Sequence, residues 1–192
     1  MRLIAGLGNP GRRYAESRHN VGFWVIDRLA ARAGVSFRFQ QGAYVTRTSA
    51  GSEDLIFVKP DEYMNESGPA VTRMIEEFGL SLDDVIVVHD DLDLDPGRVR
   101  LKARGGHGGH NGVLSLIESL QNDGFARVKI GVGRPPQGMD AADYVLIPVS
   151  CDERRVLDKA IDVAVSAVDC WIVDGLAAAM NRFNAAPSGE IP

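Results

Sequence analysis

Residues 85–89 read VIVVH, an apolar and mostly β-branched run that leads directly into Asp90 and Asp91. A strand with no polar alternate position is buried on both faces. It therefore calls for helices above and below a sheet. The rest of the chain supplies them. RLIAGL at 2–7 is a short apolar strand that ends in a Gly-Pro turn. Val21, Trp24, Val25, Leu29 and Ala33 recur at helical spacing over 20–33, with Gly34 as the stop. Residues 36–49 and 53–59 read as strands parted by a Gly-Ser turn. Ser67 and Pro69 start a helix that runs to about Phe78. Residues 98–104 alternate, with Arg98, Arg100, Lys102 and Arg104 on one face and Val99, Leu101 and Ala103 on the other. A glycine-rich loop, GGHGGHNG, follows at 105–112, then a helix near 113–120, a strand at 126–132 and a Pro-Pro-Gly loop. The tail from about 152 to 183 is mostly helical. Strands interleaved with helices predict an α/β fold, a single-domain three-layer α/β/α unit on a twisted mixed β-sheet. The expected domain is 1–192, loose from about 185.

Charge narrows the partners. The net charge is −5, unsuited to a general nucleic-acid coat. Residues 98–134, however, hold Arg98, Arg100, Lys102, Arg104, Arg127, Lys129 and Arg134 against Glu118 and Asp123. That stretch is +5 and the remainder −10. A basic patch on an acidic body suits one specific anionic ligand. Cys151 and Cys170 are too few for a disulfide framework. The first apolar run is too short for a signal peptide, and no stretch approaches a membrane span. A cytoplasmic protein with no membrane partner is expected.

All four histidines sit in polar clusters: His19 in RHN, His89 before the two aspartates, His107 and His110 in the glycine loop. Asn9 and Asp90 each follow an apolar strand, and in open α/β sheets ligands bind beyond the carboxyl ends of strands. His19 precedes a helix, where the dipole favours the neutral imidazole that a general base needs. Asp90 can orient that ring, or it can simply cap a turn. No G-x-S-x-G elbow exists and neither cysteine has a nearby histidine, which favours direct attack by water. His107-x-x-His110 lacks a helical metal-binding context, so no metal is expected. GLGNPG formally fits a dinucleotide fingerprint, but Pro10 and the polar stretch after it delay the helix. No cofactor is expected.

GLGNPGRRYAESRHNVGF at 6–23, FVKPDEYMNESGPAV at 57–71, VIVVHDDLDLDPGRVRLK at 85–102, GGHGGHNG at 105–112, RVKIGVGRP at 127–135, DYVL at 143–146 and NRFN at 181–184 together resemble the bacterial peptidyl-tRNA hydrolase family. The resemblance runs nearly end to end. It implies a metal-independent, usually monomeric esterase that releases peptide from the 3′-terminal ribose of tRNA. His19 would activate water and Asp90 would be its partner. Asn9, Asn65 and Asn111 would hold carbonyl and peptide groups or position water. Tyr14 would lie near the 3′-CCA end, with Tyr63 and Met64 beside Asn65 in the matching block and His110 beside Asn111. Arg100, Lys102, Arg104 and Lys129 would meet phosphates of the tRNA acceptor end. One departure is Asp91, where the family motif leads one to expect glutamate. A non-catalytic RNA-binding relative and an esterase for another acyl substrate are the alternatives; the first would not need His19 and Asp90, and the basic face disfavours the second.

Overall fold

A computed structural model describes residues 1–185; the loose tail expected from about 185 lies, beyond that residue, outside the described residues. One seven-stranded sheet runs in the order β2-β3-β4-β1-β5-β7-β6. The strands are β1 (Arg2–Gly6), β2 (Arg38–Gln40), β3 (Ala43–Ala50), β4 (Glu53–Pro60), β5 (Val85–Asp91), β6 (Val99–Lys102) and β7 (Ala126–Gly131). The inner strands β4, β1, β5 and β7 are parallel, while β2, β3 and β6 pair antiparallel at the flanks. This is the mixed sheet expected.

The run at 85–88 divides by strand alternation between two cores. Ile86 and Val88 face helices α1 (Val21–Ala33), α5 (Cys151–Asp174) and α6 (Leu176–Asn184). Val85 and Val87 face α2 (Ser67–Glu77) and α3 (Asn111–Leu120). All four are fully buried. Burying each such side chain contributes about 1.5–3 kcal/mol, which explains why no polar residue interrupts the run. A short helix α4 (Ala141–Leu146) completes the set.

Two expected elements differ. The strand read over 36–49 is two strands joined by Gln41 and Gly42, with φ of 48° and 85°. Those values fit a tight two-residue hairpin turn. Glutamine seldom adopts positive φ, so Gly42 alone is a weak signal for a turn there. The helical tail is likewise broken, at Gly175, into α5 and α6. Among the described residues, no helix is long and apolar enough to cross a membrane.

The motif glycines set how α1 lies on the sheet. A Cβ on Gly22 would stand 2.4 Å from the Leu7 carbonyl oxygen and 2.5 Å from that of Val88. One on Gly6 would stand 2.3 Å from the Gly22 oxygen. Backbone therefore meets backbone where α1 crosses β1, and the turn just before α1 is drawn over the strand ends. Gly6 serves this packing.

Candidate active site

The carboxyl ends of β1, β4, β5 and β7 open into a cleft of about 670 Å³. Asn9 arrives three residues past β1, Tyr63, Met64 and Asn65 just past β4, and Asp90 from within β5. His19 comes from a single 3-10 turn, Arg18–Asn20, ahead of α1. The glycine loop contributes His110 and Asn111, and Tyr14 lies at the rim. The order in which α1 and α2 cross to opposite faces around β1 makes this edge the site-forming one.

Asp90 is the electrostatic centre. One oxygen, Oδ1, accepts from His19 Nδ1 at 2.8 Å and from His110 Nε2 at 3.0 Å. The other nitrogen of His110, Nδ1, accepts from the Val113 N–H at 3.3 Å, which assigns the proton to Nε2. His19 carries its proton on Nδ1, the nitrogen that faces the Asp90 carboxylate. Its Nε2 makes no hydrogen bond among the described residues and is left with a lone pair in the cleft. Asp90 is 2% exposed. Burial alone would raise its carboxyl, but His19 and His110 outweigh burial and hold it well below the usual carboxylate range. The anion therefore persists where an imidazolium at His19 would need it.

Asn9 is held with equal care. Its Oδ1 accepts the Met64 N–H at 2.7 Å, so its NH₂ is left as a donor. Its backbone N–H donates to Asn20 Oδ1 at 2.8 Å, and its carbonyl accepts from Asn20 Nδ2 at 2.9 Å. Asn20 thus clamps Asn9 to the His19 turn. The sequence reading missed Asn20, although its place beside His19 was a signal. It also missed the wall formed by Leu92, Ala141, Ala142, Val145 and Leu146.

The ligand atoms of His19, Asp90 and His110 lie within 4.8 Å of one another, near enough to hold a cation. They are engaged with each other instead. Both ring N–H groups aim at one oxygen, and a metal would displace those bonds.

The basic residues fall into an exposed set and a set with partners within the fold. Arg100 and Lys102, on the edge strand β6, are exposed, as is Arg104; none of the three lines the cleft or forms an ion pair among the described residues. Lys129 stands opposite Arg100 on β7 and is paired with Asp91. Three other members of the basic stretch are engaged structurally. Arg127, 2% exposed, turns inward and donates to the carbonyls of Gly105 and Gly106, with Gly106 at 2.8 Å. It anchors the glycine loop. Arg98 donates to the Asn184 carbonyl and Arg134 pairs with Asp93. The free charge is therefore smaller than the linear count.

Buried histidines make the fold acid-sensitive. Burial, then the neighbouring His110, pushes the His89 imidazole well below its ordinary value. Burial also lowers His110, against the pull of Asp90. As pH falls through about 6.5, the unfolded chain binds protons at both and the folded chain does not. Stability from this source is complete above that pH and is lost below it. The contribution of the depressed Asp90 is present above about pH 4 and lost on further acidification. Urea midpoints are expected to fall between pH 7.5 and 5.5, at up to about 1.4 kcal/mol per pH unit for each histidine. His89→Gln should flatten the slope; a midpoint constant over that range in the unmodified protein would contradict the argument.

The fold and cleft define an α/β protein whose candidate site, at the strand ends, holds a buried His–Asp pair. Known proteins narrow that class. A family model for peptidyl-tRNA hydrolase matches residues 3–190. A peptidyl-tRNA hydrolase of Anaeromyxobacter sp. (strain K) is 50% identical, over 96% of each chain. One from Syntrophomonas wolfei is 44% identical, over 96% of this chain and all of its own. The crystal structure of peptidyl-tRNA hydrolase from Acinetobacter baumannii superposes with a TM-score of 0.92 at 34% identity, covering 99% of this chain and 97% of that one. The chain belongs to the peptidyl-tRNA hydrolase family.

Proposed function

We propose that this chain hydrolyses the ester between a peptide, or an N-acylated amino acid, and the 3′-terminal ribose of tRNA. It would do so as a cytoplasmic monomer, returning tRNA from peptidyl-tRNA dropped by ribosomes. The observation that carries the mechanism is the Nδ1 bond from His19 to buried Asp90, which leaves Nε2 free in the cleft that Asn9 also lines. Water attacks the ester carbonyl carbon while His19 Nε2 takes its proton. The oxyanion accepts from Asn9; one such donor lowers a barrier by about 3 kcal/mol. Collapse expels the ribose oxygen, which recovers the proton from His19. Asn65 and Asn111, exposed residues of the cleft lining, would hold the peptide, with Tyr14 and Tyr63 beside the CCA end. No metal enters these steps. The test is release of N-acetyl-amino acid from N-acetyl-aminoacyl-tRNA in the presence of EDTA. Absence of release with tRNA still bound would favour the RNA-binding alternative.

Arg100, Lys102 and Arg104 are assigned to acceptor-end phosphates, contacts that position without reading sequence. Lys129 joins them only by leaving Asp91. Arg100→Ala and Lys102→Ala are each expected to reduce the salt dependence of tRNA binding by roughly one ion. An unchanged slope, measured from 50 to 200 mM salt, would remove them from the interface.

A further inference from the structure

Arg18 is a charged residue in the interior, 5% exposed, immediately before His19. Its guanidinium ties its own turn to two further pieces of chain, the end of α4 and the start of α5. Nη1 donates to the carbonyls of Tyr144 at 3.1 Å and Ile147 at 3.4 Å, at the end of α4. Nη2 is paired with Glu153 in the first turn of α5. The guanidinium carbon lies 4.1 Å from the centre of the Tyr144 ring. The neighbouring backbone follows the same path: the Val149 N–H donates to the Glu16 carbonyl at 2.9 Å, and Ser17 bridges to Pro148. Tyr144 itself is tied down by its hydroxyl, which donates to the Val132 carbonyl at 2.9 Å.

A buried guanidinium is costly to desolvate unless its donors are satisfied, and hydrophobic replacements often stabilise as well. Stability alone is therefore a weak reason for an arginine here. Position offers a stronger one. α4 supplies Ala141, Ala142, Val145 and Leu146 to the cleft, while the next residue in the chain after Arg18 is His19. We propose that Arg18 is a positioning residue that locks the cleft wall formed by α4 to the turn carrying His19. The guanidinium makes the separation between base and wall a fixed distance, so that substrate pressed against the wall meets Nε2 in register. A forked, planar donor is required for this, since lysine cannot reach two carbonyls and a carboxylate together.

This inference rests on His19 being the base. The experiment is steady-state hydrolysis of N-acetyl-aminoacyl-tRNA by Arg18→Lys and Arg18→Met, with the folded fraction measured by circular dichroism. A small misplacement of base against substrate gives losses of about tenfold in kcat, with KM rising several-fold as the wall loosens. Methionine should be worse than lysine, which keeps the Glu153 pair; if the Met variant does not fold, the Lys variant carries the test. The kcat loss should disappear when Arg18→Lys is placed on His19→Ala, because no base remains to misplace. Unchanged kcat and KM with only a lower Tm would overturn the proposal, as would an equal kcat loss with and without His19. Failure of the His19 reading would show separately, as full activity in His19→Ala alone.

Discussion

His19→Ala is expected to lower the release of N-acetyl-amino acid from N-acetyl-aminoacyl-tRNA by roughly 10²–10⁴, the usual worth of general base catalysis. The loss should fall on turnover and leave tRNA binding nearly unchanged, because His19 stands among cleft residues away from Arg100 and Lys102. The geometry makes the experiment clean. Among the described residues the imidazole bonds only to Asp90, and it lies tilted beside His110 at 4.8 Å between ring centres, so alanine removes the base without orphaning a backbone group. It leaves Asp90 with the His110 bond still in place. Near-full turnover in the variant would show that another group activates water.

Asp90→Asn is the second large effect, with an expected loss of about 10²–10⁴ in turnover. The carboxylate accepts two N–H groups on one oxygen, one from each of two histidines. An asparagine amide can present its oxygen to them, but its NH₂ must then find an acceptor in a buried site. If the amide turns, it donates to His19 and forces the proton onto Nε2, the atom required as base. In either pose the fixed negative charge that stabilises an imidazolium at His19 is gone. Because the two residues act as one unit, the double variant should be little slower than the worse single one. Multiplicative losses would mean that Asp90 acts independently of His19.

The interior strands, their burial and the helices between them were legible because apolar period and β-branching are local properties. The 85–89 run demanded two covered faces and has them, and Asn9, His19 and Asp90 were placed at strand or helix ends by chain order. The hairpin at Gln41 escaped because a glutamine at positive φ carries no local signature. Arg127 was misplaced for a related reason. The linear charge count put it in the basic patch, yet the carbonyls of the glycine loop give its donors partners in the interior.

Local pattern was enough for the layers, the strand-end placement of the candidate site and, through the motifs, the family resemblance. Closure of the chain brought His19 and His110 onto one oxygen of Asp90. It also decided that Asn20 orders Asn9, that Arg18 ties α4 to the His19 turn, and that Lys129 is held by Asp91. The His19–Asp90, Arg18–Tyr144 and Lys129–Asp91 contacts each join residues more than thirty positions apart. Their energies depend on distance, direction and exclusion of water, quantities that exist only once the chain has closed on itself.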